Sequence, residues 1–308
     1  MSGGTGSGVG AVAPAKINLA LRVGARRDDG FHPLNTLFHA VDLLERVTVR
    51  PSAGPADAVE VRGRDARAVP LDRSNLVLRA AELLRDRAAR REFSPVEFLI
   101  DKAIPVAGGL AGGSADGAAA LVALNELWGL GLSRERLIAL AGELGSDVPF
   151  ALHGGTAVGH GRGELLSPVA AGGTLHWVLL TDPRGVSTPE AFQMFDELRA
   201  GAGPASPPPI PGELLDAVRS GDPWAVGAGL VNDLEPAVFA FRPELEELVA
   251  RARLAGACGA VVSGSGPTVA CLAPDSAAAD VLADELRSVH TAGDVLRASG
   301  PAAGAAGA

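Results

Sequence analysis

Tyrosine is absent from this 308-residue chain, and cysteine and methionine occur only twice each. Cys258 and Cys271 are too few for a disulfide framework. One bridge is open to them, but two reduced thiols are the plainer expectation, as in a cytoplasmic protein. No apolar run approaches the roughly 20 residues that span a bilayer. The opening MSGGTGSGVGAVAPAK lacks the basic start and apolar stretch of a signal peptide. Positive charge is also scarce: 27 cationic residues face 36 acidic ones, and the formal net charge of −9 argues against nucleic acid or an acidic membrane as partner. Only two of the cations are lysines, Lys16 and Lys102, and arginine supplies the rest. A lysine here either marks a place that needs a compact ammonium or falls there by chance.

A hydrophobic share of 47% is enough for a sizeable core, in one large domain or two ordinary ones. Alternating apolar runs predict strands over 17–23, 37–50, 57–63 and 96–101, and later within GTAVGHGRGELLSPV (155–169) and TLHWVLLTDP (174–183). SNLVLRAAELLRDRAARR (74–91) reads as an amphipathic helix with Ser74 as its N-cap. Further helices are expected over 114–128, from Ser133 to Gly145, and in a short segment opened by Asp147 and Pro149. Others are expected near 213–229, 243–256 and 276–287. ACGAVVSGSGPTVACLA predicts a strand, a turn and a strand. The Pro-rich 200–213 reads as a surface loop, and the Gly/Ala-rich ends, 1–10 and 298–308, as disordered tails. Strands and helices mix without a regular βαβ rhythm, so the fold class is α+β with two packed lobes.

The densest signal is IPVAGGLAGGSADGAAAL (104–121), four glycines set directly before a helix. Bare backbone at a helix N-terminus can turn its N–H groups onto an anion, which suits phosphate. The stretch is neither a Walker A loop, because Ser114 and Ala115 stand where Lys-Ser/Thr would, nor a dinucleotide fingerprint. The alternative is a glycine-rich surface turn with its helix packed close to a neighbour. Lys16 and Asn18 in PAKINLAL share one face of a strand, either solvated or set to bind an oxyanion and a hydroxyl. Asp147 in GSDVPF could simply cap its helix, and SGSGPT (263–268) could simply close a hairpin.

Taken together and in this order, PAKINLAL, IPVAGGLAGGSADGAAAL, GSDVPF and SGSGPT resemble the motifs of the galactokinase, homoserine, mevalonate and phosphomevalonate (GHMP) kinase superfamily. DDGFHPLNTLFHAVDLLE, NDLE (232–235) and GVSTPEAF (185–192) are similar to a branch whose acceptor is a methylerythritol carrying a cytidine diphosphate. The resemblance, over about residues 12–297, implies a small-molecule kinase using ATP and Mg²⁺. It implies an N-terminal lobe like ribosomal protein S5 domain 2, a ferredoxin-like C-terminal lobe, and a boundary near residue 168. Homoserine- or mevalonate-type acceptors, or a silent nucleotide-binding sensor, are the alternatives.

The same resemblance implies roles for individual residues. Lys16 and Asp147 match the catalytic pair. The backbone of Pro105, Val106, Ala107, Gly108, Gly109, Leu110, Ala111, Gly112 and Gly113 would wrap the ATP phosphates, with the Ser114 hydroxyl on phosphate or metal. Asn75 and Lys102 would lie near the adenine. Phe31 would stack on the cytosine, His32 would read its edge, and Phe192 would cover its other face with Thr188 nearby. Asn18 would meet the methylerythritol hydroxyls. Ser263, Gly264, Ser265 and Gly266 would close the site from the second lobe. Alanine at 107 and 111, where glycine is frequent, requires backbone angles there that suit an L-residue. The remaining histidines, His39, His153, His160, His176 and His290, show no metal-ligand spacing and read as structural.

Overall fold

The computed structural model describes residues 8–88, 93–199 and 204–308. Residues 1–7 of the expected N-terminal tail, 89–91 of the first expected helix and 200–203 of the Pro-rich loop lie outside the described residues. In chain order the elements are β1 (Val9–Val23), β2 (Leu34–Pro51), β3 (Ala58–Gly63), α1 (Leu76–Arg87), β4 (Val96–Lys102), α2 (Gly112–Leu127), α3 (Arg134–Leu144), α4 (Val148–His153), β5 (Thr156–His160) and β6 (Leu165–Pro168). They continue as β7 (Leu175–Leu180), α5 (Thr188–Arg199), α6 (Gly212–Ser220), α7 (Pro223–Gly229), β8 (Val231–Asn232), α8 (Glu235–Phe241), α9 (Pro243–Leu254), β9 (Gly259–Val262), β10 (Val269–Ala273), α10 (Ser276–Val289), β11 (Val295–Gly300) and β12 (Ala306–Gly307).

The first sheet runs β12-β1-β2-β4-β3, with β5 and β6 added at the other half of β2 and β8 beside β1. β1 is buried along nearly its whole length because α2, α4 and the second lobe cover it. Its register against β2 shifts between Pro14 and Ala15 and again between Asn18 and Ala20. These irregularities flank Lys16 and Asn18, and such bulges re-aim side chains out of a regular ladder. α2 is buried on nearly all sides. Its run of Gly and Ala lets α1, α3, α4 and the strands β1, β2 and β12 approach closely.

The second sheet has the order β11-β7-β10-β9. Its fourth strand thus lies beside the first and its third between first and second, with α9 and α10 packed on it, which is the ferredoxin-like arrangement. The sheets part between β6 and β7, near the expected boundary. The later chain nevertheless re-enters the first sheet twice, through β8 and β12. Leu21 and Val23 of β1 belong to the second lobe's core, so the lobes share a strand.

Two expectations fail here. Residues 298–308 are ordered: 298–300 finish β11, Ala305 N donates to Ala151 O, and β12 pairs with β1. Their small side chains allow a close backbone approach. A Cβ on Gly304 would collide with the Leu152 carbonyl, so composition that resembles a tail is here a packing device. Residues 9 and 10 are likewise in β1. The first helix is capped by Asn75, whose Oδ1 accepts from Val77 N, while the Ser74 hydroxyl donates to Asp72.

Candidate active site

A cavity of about 900 Å³ lies between the lobes. Its floor is the β1–β2 face carrying Lys16, Asn18, Thr36 and Phe38. The glycine loop and α2 form one side, Asp147 the back, and α5 with the 264–266 turn the roof.

Lys16 Nζ donates to Asn18 Oδ1 at 2.7 Å. Asn18 Nδ2 donates to Thr36 Oγ1 at 2.7 Å, and Thr36 Oγ1 donates on to Ala20 O. This chain fixes the Asn18 amide with its oxygen toward the ammonium. Asp147 Oδ2 lies 3.8 Å from Lys16 Nζ. Asp147 stands at the N-cap position of α4 but makes no capping hydrogen bond, and a third of its side chain is open to the cavity. The capping alternative therefore fails, and the carboxylate is free to meet a ligand. Burial lowers the Lys16 pKa, and the charge of Asp147 works against that shift by favouring the ammonium.

The glycine loop contradicts one expectation about its own backbone. Ala107 and Ala111 sit at φ 55° and 60°, in the left-handed region, which costs an L-residue about 1–2 kcal/mol each. Gly109, at φ 77°, has a different reason to be glycine, since a Cβ would strike the Ser263 carbonyl. Thr268 N donates to Gly108 O, and the Ser263 hydroxyl to Gly109 O. The loop packs against a close neighbour and also opens to the cavity. A Cβ on Gly113 would meet nothing within 4 Å. The first intrahelical bond is Ala115 N to Ala111 O, so the amides of Gly112, Gly113 and Ser114 precede it at the positive end of a 16-residue helix.

At the other end, Phe31 is half exposed beneath the Arg162 guanidinium, 5.2 Å from its ring. His32 is buried, with Nε2 2.9 Å from Asp196 Oδ1, and its ring stacks on Phe192 at 4.8 Å. A carboxylate only accepts, so Nε2 donates to it, and in the tautomer protonated there Nδ1 is an acceptor. Phe192 thus has a partner of its own in His32, an arrangement the sequence reading did not include. Thr188 Oγ1 and Ser265 Oγ bond at 2.8 Å and join α5 to the 264–266 turn.

Three expected site residues stand elsewhere, and a fourth reaches the cavity with its charge already engaged. Asn75 is spent on the α1 cap and on Pro70 O, and does not line the cavity. Leu110 is fully buried in the core, where it anchors the loop with about 1.5–3 kcal/mol of apolar burial. Ser263 is buried and bonded to the loop, whereas Gly264, Ser265 and Gly266 do face the cavity. Lys102 reaches the cavity wall, but its ammonium is held between Glu45 and Asp116 at 2.8 Å each. Glu45, Asp116, Asp196 and Arg162 were not anticipated. Only Asp196 had a usable signal, a carboxylate one helical turn after Phe192. Asn232 of NDLE holds the 264–266 turn by donating to the carbonyls of Val262 and Gly264.

The remaining histidines take structural partners where bonds are seen. His39 bonds Thr156, His160 bonds Asn35, His153 bonds Gly154 O and His290 bonds Thr181 O. Among the described residues no group of three or more His, Cys, Asp or Glu could hold a metal, both cysteines are free, and no helix is long and apolar enough to cross a membrane.

Comparison with known proteins agrees with this geometry. Residues 75–155 match the GHMP kinases N-terminal domain and 214–291 the GHMP kinases C-terminal family. The chain is 50% identical to the 4-diphosphocytidyl-2-C-methyl-D-erythritol kinase of Streptomyces coelicolor, over 95% of this chain and 96% of that one. It is also 50% identical to the kinase of the same name from Rhodococcus jostii, over 95% and 93%. A solved 4-(cytidine 5'-diphospho)-2C-methyl-D-erythritol kinase superposes with a TM-score of 0.74 at 33% identity, covering 94% of this chain and 98% of that one. A homoserine kinase from Cytophaga hutchinsonii shares the fold at a TM-score of 0.72 and 21% identity, covering 100% and 99%. The chain belongs to the GHMP kinase family, in the group of the 4-diphosphocytidyl-2-C-methyl-D-erythritol kinases.

Proposed function

We propose that this protein transfers the γ-phosphoryl group of ATP to the 2-hydroxyl of 4-diphosphocytidyl-2-C-methyl-D-erythritol, in the cytoplasm and on the non-mevalonate route to isoprenoid precursors. The observation that carries this is one cavity with three parts. The Lys16–Asp147 pair sits within it, together with the helix-backed glycine loop and the Phe31–His32–Phe192–Asp196 cluster.

In this reading the amides at the start of α2 hold the ATP phosphates. The acceptor hydroxyl lies against Asp147, whose carboxylate takes its proton as the oxygen attacks the γ-phosphorus. The bond from that phosphorus to the β-bridging oxygen breaks and ADP leaves. Lys16 stabilises charge on the transferring group. Asn18, held by Thr36, fixes the direction of the Lys16 ammonium. At the base end, His32 Nδ1 suits the amino group of cytosine, a donor that uracil lacks. Mg²⁺ commonly takes one or two protein oxygens and completes its shell with phosphate and water. The Ser114 hydroxyl, on the cavity wall, would supply one such oxygen. The metal would neutralise charge on the β- and γ-phosphates.

A coupled ADP-release assay tests the reading, with the cytidyl alcohol, homoserine and mevalonate as acceptors. Turnover on the cytidyl alcohol alone is expected. Turnover on either of the others in its place would leave the cradle and reject the acceptor.

A further inference from the structure

One buried side chain holds both ends of the phosphate cradle. Glu45, on β2, is fully buried, and its carboxylate accepts from Ala103 N at 3.0 Å and Ile104 N at 2.9 Å, just before the loop. The same carboxylate lies 2.8 Å from Lys102 Nζ, which donates to Asp116 Oδ2 at 2.8 Å on the far side of the loop, in α2. Glu45 therefore reaches the loop's entry directly and its exit through Lys102. Glu45 does not itself line the cavity.

Stability is a poor explanation for this cluster. Two carboxylates and one ammonium are almost wholly out of water, and one carboxylate oxygen, Asp116 Oδ1, has no hydrogen-bond partner. Burial pushes the Asp116 carboxyl up to about 7 and raises Glu45 as well. Apolar residues of similar volume often stabilise a core as well as such a cluster or better. The loop between the pins supplies another reason for it. Ala107 and Ala111 are held in the left-handed region, a conformation that persists only where the surroundings over-determine it. Bonds from Ser263 and Thr268 fix the middle of the loop, and the Glu45–Lys102–Asp116 chain fixes its two ends.

We infer that Glu45 is a positioning residue for nucleotide binding, which sets the aperture of the phosphate cradle from outside the cavity by fastening its entry and, through Lys102 and Asp116, its exit. The inference rests on the reading of the cavity as an ATP site.

The test is Glu45→Gln in the full chain, with ADP and ATP binding measured by calorimetry in the absence of acceptor. KM for both substrates and thermal unfolding are measured alongside. Glutamine keeps the volume but places an amide N–H₂ against groups that themselves donate. Loss of charge-assisted bonds here predicts nucleotide binding weaker by about tenfold, with KM for the acceptor within about twofold. Adding Ala111→Gly to Glu45→Gln recovers part of the affinity, because glycine takes the left-handed region without steric cost. Should Glu45→Gln not fold, Asp116→Asn, which loosens only the exit, carries the same test with a smaller effect. Wild-type nucleotide affinity in these variants would overturn the inference, even with a lowered unfolding temperature. Equal weakening toward nucleotide and acceptor would overturn it too. A wild-type protein that binds no nucleotide would instead overturn the reading of the cavity.

Discussion

The Lys16 ammonium sits 3.8 Å from the Asp147 carboxylate and 2.7 Å from the Asn18 amide oxygen, so one buried cation is shared between a fixed partner and a reachable one. The fixed partner aims it, and the reachable one can exchange its contact for a substrate hydroxyl. Asp147→Asn is expected to lower kcat by about 10²–10⁴-fold, the range for a positioned acid–base group. Calorimetric ATP affinity should stay near wild type. Loss of ATP binding in step with kcat would assign Asp147 to the nucleotide instead.

Asp196 fixes which nitrogen of His32 carries the proton. Asp196→Ala frees the ring, and the expected effect is a KM for the cytidyl acceptor raised by about 5–30-fold, equivalent to roughly 1–2 kcal/mol, with KM for ATP unchanged. Initial-rate kinetics with each substrate varied in turn would check this. A rise confined to ATP would contradict it.

Gly109 is where the two lobes touch through backbone. Gly109→Ala adds a Cβ against the Ser263 carbonyl at a left-handed φ, so the strain alone costs about 1–2 kcal/mol before any displacement. Urea unfolding should show a lowered midpoint, and ATP binding should weaken as the loop shifts. Gly113→Ala, whose Cβ meets no protein atom, should keep wild-type stability while crowding the ligand.

His39 is fully buried between the lobes, bonded to Thr156 and tilted against Trp177. Burial lowers its pKa from 6.5 to about 4. An unfolded imidazole binds a proton below about 6.5, while the native one resists until about 4, so the unfolded chain holds more protons across that window. This contribution to stability is complete above about pH 6.5 and is lost as pH falls to about 4, on the order of 3 kcal/mol in all. Unfolding free energies measured across that range should show the slope, and His39→Gln should flatten it. An unchanged slope in the variant would assign the acid sensitivity to carboxylates.

Local signals in the sequence predicted what local physics decides. The helix from Ser133 to Gly145 has its cap and its stop where expected, because a hydroxyl cap and a terminal glycine are written into adjacent residues. The glycine loop, the shared face of Lys16 and Asn18, and the SGSGPT turn were legible for the same reason. What escaped was decided at a distance. Ala107 and Ala111 adopt left-handed angles in a loop held by Ser263 and Thr268 and fastened through Glu45, and these three lie far from it in sequence. Lys102 was noticeable as one of two lysines, but its partners lie 57 residues before it and 14 after it. Residues 298–308 resembled a tail because glycine and alanine serve close packing and disorder equally well.

Delivery of a phosphoryl group to a tertiary hydroxyl in this cavity is tested most directly by ³¹P NMR of the product made from ATP and 4-diphosphocytidyl-2-C-methyl-D-erythritol. A phosphate on the 2-position sits on a carbon without hydrogen, so a new phosphomonoester resonance without three-bond proton coupling is expected beside the retained diphosphate signals. That resonance should be absent with Asp147→Asn over the same interval. A new resonance split by proton coupling would place the phosphate on a primary or secondary hydroxyl, and no new resonance would mean no transfer. Either would contradict the account.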